Sequence, residues 1–274
     1  MARVVRQLRA TRLIGRAVCA LPALSRCARL FRNWVQLTRL YAGRADFVPP
    51  VEAIGRRNFR LRLYEPADVQ TAWVVFCADS YRVRSLPPTP VVLDLGANIG
   101  AFTVLAARVL GAQRVVALEP VGATYERLCE NVTLNGLQDR VTALRLGLAG
   151  RGGTRTIQLG TASAHASLYY RGDTRFESGR QEEIAVTTLD DLLARLDAPE
   201  IDVCKLDCEG AEYEALKAAS DEALRRIKRI CMEYHPQRDW PDPEPLFARL
   251  RETGFRRTWH NARDRLAVFE RRGP

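Results

Sequence analysis

The segment Val91 to Thr103, VVLDLGANIGAFT, constrains this 274-residue chain more than any other. An apolar strand ends in Asp94, a tight turn carries Gly96, Ala97, Asn98 and Gly100, and a helix follows. A second apolar strand, VVALEP at Val115 to Pro120, ends in the acidic Glu119. This order is that of a doubly wound α/β sheet, whose ligands lie in the crevice beyond the strand ends. Gly96 and Gly100 lack a β-carbon, so the backbone can turn sharply and a ligand can lie against it. Glu119 is spaced to accept hydrogen bonds from both hydroxyls of a ribose. Together they describe a nucleoside pocket.

The turn narrows the ligand. A dinucleotide fold wants GxGxxG, with pyrophosphate on the helix N-terminus. Here position 98 is asparagine, and Asp94 two residues before the turn would repel a pyrophosphate. A carboxylate there suits a cationic amino group, such as the methionine end of S-adenosylmethionine. The GK[ST] ending of a phosphate-binding loop is also missing. A nicotinamide-dependent oxidoreductase would share the sheet but not this turn, and a silent binding protein on the same fold would show a broken turn.

A second constellation lies downstream. The buried-strand pattern IDVCKLD (201–207) runs into Cys208-Glu209-Gly210-Ala211-Glu212 and a helical stretch, and IKRICMEYH (227–235) delivers Glu233, Tyr234 and His235 at a strand end. Titratable groups converging beside a cofactor pocket are what an active site needs. DLGANIG, LEP, NVTLNG, KLDCEGAE and MEYH together resemble the FkbM family of S-adenosylmethionine-dependent methyltransferases, over roughly Val91 to His235. The discriminating piece is the (D/N)xEGxE-type segment at Asp207 to Glu212. Cys208 departs from the family's more usual small β-branched residue. The resemblance implies O-methylation of a hydroxyl on a sugar, glycan, polyketide or related metabolite, with alternatives in N-methylation of a small molecule or a silent scaffold. An N-methyltransferase commonly carries (N/D)PP(Y/F) where this chain reads Leu206-Asp207-Cys208-Glu209, so oxygen is favoured.

Within that reading, Asp94 and the turn hold the methionine end and Glu119 the ribose. The methyl group moves by in-line displacement, and the protein positions the partners and removes a proton. His235 is the first candidate for the base, because an unperturbed imidazole titrates near working pH. Asp207 and Glu209 are the alternatives, as base, as substrate clamp, or with Glu233 as ligands for a divalent ion such as magnesium. The metal is not the favoured use. Lys205 faces away from Cys204 and Leu206, inward or outward; His165 and His260 read as surface or loop residues.

Charge is informative once located. Residues 1 to 45 hold ten arginines and no acid, and the remaining chain carries 32 basic and 32 acidic residues, so the net charge of +10 sits in the N-terminal arm. A neutral body argues against nucleic acid as partner. Arg3, Arg6, Arg9 and Arg12 recur at helical spacing, as do Arg26, Arg29 and Arg32 after Pro22. The longest uncharged run of the arm, Ala17 to Ser25, is nine residues, against the roughly twenty of a membrane span. No secretory signal with an A-x-A-like site follows, Arg26 spoils a lipoprotein box, and serine is scarce for a transit peptide. What remains is a helix on an anionic membrane surface or a helical cap on the core. Seven scattered cysteines form no CxxC or zinc spacing. The chain therefore reads as reduced and cytoplasmic, peripheral at a membrane if the arm binds lipid. No oligomeric state follows from the sequence.

The expected organisation is a basic amphipathic arm (1–45), a strand and helix cap (46–90) and a methyltransferase core (91–274). The cap contains a strand pair or a single strand (FRLRLYE) and a helix near Val69 to Ala78. In the core, strands at 91–95, 114–119, 141–146, 184–188, 201–206 and 228–234 alternate with helices at 99–110, 123–134, 189–196 and 211–218. Such alternation predicts a Rossmann-like, mostly parallel sheet. Gly254 to Trp259 and Arg265 to Glu270 would add an antiparallel terminal hairpin. Residues 147 to 183 break the rhythm as an inserted hairpin over the crevice, with Ser163, His165, Ser167 and Tyr169 available to substrate.

Overall fold

The computed structural model describes residues 21–88, 90–160, 166–168, 177–196, 198–237 and 241–271. Its centre is β3 (Val91–Leu95), with β4 (Arg114–Leu118) and β5 (Val141–Leu144) on one side. On the other lie β9 (Val203–Leu206), β10 (Arg229–Glu233), β12 (Leu266–Arg271) and β11 (Phe255–Asn261). All neighbours from β5 to β10 pair in parallel, while β12 is antiparallel to both β10 and β11. The expected mostly parallel sheet with an antiparallel terminal hairpin is present. The sequence cause is plain in β3, β4 and β9, whose near-continuous apolar runs are buried on both faces, as parallel strands require.

Alternate residues feed two cores. Val92, Val115, Ala117 and Val203 face one layer, which includes α5 (Gly122–Leu134) and the N-terminal elements. Leu93, Leu95, Val116, Cys204 and Leu206 face the other, with α6 (Leu189–Ala194), α7 (Glu212–Ala218), α8 (Asp221–Arg225) and α9 (Glu244–Glu252). Asp94 pairs with Lys205 across the β3–β9 ladder. Lys205 therefore points inward, toward the first layer, and is 4% exposed.

The N-terminal elements are a helix over 21–30 (α1), α2 (Trp34–Tyr41), the hairpin of β1 (Val51–Ile54) and β2 (Arg60–Leu63), and α3 (Pro66–Ala72), which continues as a π-helical turn, Trp73–Cys77. Residues 1–20 of the expected arm lie outside the described residues. The part from 21 onward is joined to the cap by packing: Phe31 meets Phe59 and Phe76 with ring centroids 5.4 and 5.3 Å apart. Burying each such ring contributes about 1.5–3 kcal/mol.

Two asparagines fasten this layer to the sheet. Asn131 and Asn135 stand four apart on α5, so their amides lie on one helix face. The Asn135 amide accepts from Arg60 N and donates to Arg60 O, both within 2.8 Å. Asn131 does the same for Arg62, at 2.7 and 3.2 Å, and donates to Ile99 O at 2.9 Å. The helix thus stands in for a missing strand at the β2 edge.

Several boundaries differ from expectation for local reasons. The helix after the turn starts at α4 (Ala101–Val104), because Gly100 is left-handed at φ +83°, and it ends in a π-helical turn, Leu105–Val109. The cap helix begins earlier, at Pro66, where Glu65 and Asp68 form a capping box. Residues 184–188 do not join the central sheet. They end β8 (Glu177–Thr187), which pairs with β7 (Gly153–Gly160) and β6 (Gly147–Leu148) in a separate three-stranded sheet. Ile184 and Val186 bury against Val121, Ala149 and Ile157 there; their alternation is the same for either sheet, so pattern alone could not choose.

Candidate active site

Strand order reverses at β3, with β4 to one side and β9 to the other, and a solvent-open cavity lies beyond their ends. This is the switch point where open α/β sheets bind ligands. Gly96, Ala97, Asn98, Glu119, Asp207 and Glu209 line it, together with Tyr81 and Lys205. Leu148, Ile157 and Ile184 of the three-stranded sheet, with Ala166 and Leu168, cover one side. The inserted hairpin therefore does reach over the crevice. Ser163, His165 and Tyr169 lie outside the described residues; Ser167 donates to Glu209 O at 2.6 Å.

The turn is built by close approach. Gly96 and Ala97 N–H groups both donate to Leu118 O, at 3.0 and 2.7 Å, tying β3 to β4. Gly96 has φ +78°, and a β-carbon there would lie 1.8 Å from Asp207 O. The glycine is required by the end of β9 as much as by any ligand. Gly100 does not line the cavity; its side-chain space is taken by Leu128.

Glu119 sits as expected, at the end of β4 and on the wall. Its Oε2 accepts from Asn98 N at 2.9 Å and its Oε1 from Val121 N at 3.0 Å. Burial raises its pKa to about 7, against the lowering effect of those two donors. Each oxygen keeps a lone pair for a ligand hydroxyl.

Asp94 has a different task from the one expected. It is fully buried and does not line the cavity. Thr103 Oγ1 donates to its Oδ2 at 2.6 Å, and Lys205 Nζ lies 3.4 Å from its Oδ1. Its charge is spent on the lysine, which also donates to Gly96 O and lies 3.7 Å from Asp207 Oδ2. Burial opposes the lysine's charge, but Asp94 and Asp207 more than compensate and keep it protonated. The cation behind the turn belongs to the protein.

At the other wall, Asp207 Oδ2 accepts from Tyr81 OH at 2.7 Å. Tyr81 is 5% exposed, and burial with the Asp207 charge drives its phenol pKa well up, so it remains a donor. Glu212 has no exposed surface and staples the loop before α7, accepting from Cys208 N at 2.7 Å and Gly210 N at 2.9 Å. It also holds His235 Nδ1 at 3.2 Å. His235 Nε2 lies 3.5 Å from Glu209 Oε2 and 3.6 Å from Glu233 Oε1.

This corrects the expectation of an unperturbed imidazole at His235. Burial lowers its pKa, but Glu212, Glu233 and Asp207 outweigh it and raise the value to about 10. The ring is an imidazolium at neutral pH and has no lone pair to take a proton. It is also absent from the cavity wall, where Asp207 and Glu209 are present. Asp207, Glu233 and His235 each bring one nitrogen or oxygen atom within 4.8 Å of the others, a grouping that could take a divalent ion only if the ion displaces a proton from the His235 ring.

Sequence reasoning left Tyr81, Lys205 and Glu212 without roles. Tyr81 comes from a loop with no motif. Lys205 carried a signal, as a cation at an inward position of a buried strand beside Asp94. Glu212 carried one too, as the final carboxylate of DCEGAE.

The fold and this site define a Rossmann-like methyltransferase. The Methyltransferase FkbM domain model matches residues 94–257, and the chain belongs to that family. It is similar to Methyltransferase sdnD of Sordaria araneosa, with 27% identity over 226 residues that cover 72% of this chain and 86% of that protein. It is also similar to the Hexuronic acid methyltransferase AglP of Haloferax volcanii, with 27% identity over 158 residues, covering 58% of this chain and 61% of AglP. Among solved structures, Methyltransferase FkbM from Methylobacillus flagellatus superposes with a TM-score of 0.46 at 16% identity, covering 87% of this chain and 59% of that one.

Proposed function

We propose that the protein is an S-adenosylmethionine-dependent O-methyltransferase acting on a hydroxyl of a sugar, glycan, polyketide or related metabolite. The observation that carries this reading is that Glu119 and Asp207, at the ends of strands flanking β3, line one cavity. The Glu119 carboxylate fits a ribose diol, and Gly96 to Asn98 present the backbone beside it. S-adenosylmethionine, when bound, supplies the electrophilic methyl group. Asp207 orients the acceptor hydroxyl and takes its proton. Tyr81 and Lys205 fix the carboxylate's position, and the apolar cover of Leu148, Ile157 and Ile184 keeps water from competing. Carboxylates on the acceptor side suit a hydroxyl, and AglP, a relative, is by its name a methyltransferase of hexuronic acid.

The test is incubation of the purified chain with S-adenosylmethionine and a panel of hydroxylated glycans and metabolites, read by mass spectrometry. A gain of one methyl group on oxygen supports the reading. Methylation confined to amine acceptors overturns the choice of oxygen.

A further inference from the structure

The outer surface of the N-terminal layer has a composition found nowhere else on the described chain. Among the described residues, the exposed large apolar side chains are Leu21, Val35, Tyr41 and Val48, at 62, 51, 43 and 74%. All four come from one short segment, which also exposes Arg29, Arg32, Arg39 and Arg44. Both helices there are two-faced. On α1, Leu21, Ser25 and Arg29 recur every four residues outside while Cys27 is fully buried; on α2, Val35 and Arg39 are outside and Leu37 inside. The inner faces are anchored in the core. The outer faces mix cationic and apolar side chains.

A second cavity, a solvent-open depression, lies beside α1. Arg29, Arg57 and Arg84 line it together with Leu105, Val109 and Leu110. The acid among its lining residues, Asp79, is already paired with Arg26 at 2.9 Å and Arg84 at 3.1 Å. The cavity therefore combines excess positive charge with an apolar wall. In the sequence, the preceding twenty residues add five arginines and no acid.

We infer that this face docks on an anionic phospholipid bilayer, with a lipid phosphate held by the arginines of the second cavity and the exposed apolar side chains seated at the acyl boundary. Mixed cationic and apolar outer faces are the chemistry of interfacial binding. No described helix is long and apolar enough to cross a membrane. Val75 lines both cavities. A bilayer seated here therefore adjoins the wall of the active-site crevice. The inference stands independently of the acceptor proposed above.

The test is flotation of the full chain with vesicles of phosphatidylcholine alone and of equimolar phosphatidylglycerol and phosphatidylcholine. The chain floats with the anionic vesicles only, and R29E/R39E/R57E weakens that partition by roughly tenfold or more. The control R180E/R256E/R263E changes net charge equally on exposed arginines elsewhere and keeps most of the binding. Circular dichroism melting confirms that both variants fold. Absence of flotation by the unaltered chain, equal loss in both triple variants, or binding of inorganic phosphate without flotation would each overturn the inference.

Discussion

On the β4 side of the crevice, Glu119 meets two backbone N–H groups from its own neighbourhood. On the β9 side, Asp207 meets a phenol 126 residues away in sequence and a lysine that also holds Asp94. The first wall is a product of local chain geometry, a turn and two strand ends. The second is a product of assembly, needing the N-terminal layer, β3, β9 and β10 to be in place together. The first wall turns a carboxylate with lone pairs left over toward the cavity; the other holds charge in a fixed arrangement at considerable cost in desolvation.

Substitutions can break this division. Asp207→Asn should remove the proton acceptor and cost about 10²- to 10⁴-fold in turnover, the range of general-base contributions, while calorimetric cofactor binding stays near normal. Comparable turnover in that variant would move the base to Glu209. Glu212→Ala leaves His235 and the loop N–H groups of Cys208 and Gly210 without their partner. Breaking a buried ion pair costs about 3–5 kcal/mol, which denaturant unfolding would register as a lower midpoint. Glu119→Ala should raise the cofactor dissociation constant by roughly ten- to a hundredfold, given about 1.5–3 kcal/mol for hydrogen bonds to a charged group, with the fold intact by circular dichroism.

Acidity separates the walls as well. His235 has a folded pKa near 10, above its unfolded value, so its stabilising effect is complete below about pH 6.5 and disappears as pH rises through 10. Unfolding free energy should therefore fall between pH 7 and 10, and His235→Asn should flatten that fall. The smallest expected effect is that of chelation: with Asp207 as base, EDTA leaves turnover unchanged. A loss restored by added divalent ion would place a metal among Asp207, Glu233 and His235.

The local wall was legible in sequence; on the assembled one Asp207 and Glu209 were named as candidates while the contacts that hold them were not, and the residues show why. DLGANIG and LEP specify strand ends and a turn within one stretch of chain, so Gly96, Ala97, Asn98 and Glu119 could be assigned before any contact was seen. Asp94 was expected to hold the methionine end of a cofactor, but its partner is fixed by β3–β9 register, which places Lys205 opposite it. His235 looked like a base because its reference pKa is convenient; the carboxylates that surround it are Glu233, two residues before it, and those of the 207–212 segment, which only the fold brings to it. Tyr81 carries no local signature, and NVTLNG marked Asn131 and Asn135 without saying what they hold, since the partners are a strand end and a strand edge supplied by tertiary packing. For β8, alternation gave the strand but could not say which sheet would take it.

The most direct test of the central claim is calorimetric titration of the purified chain with S-adenosylhomocysteine, with NAD as control and Glu119→Ala alongside. The account predicts binding of S-adenosylhomocysteine alone, weakened in the variant. Binding of neither ligand, or affinity untouched by loss of Glu119, would contradict it and leave a methyltransferase fold serving some other end.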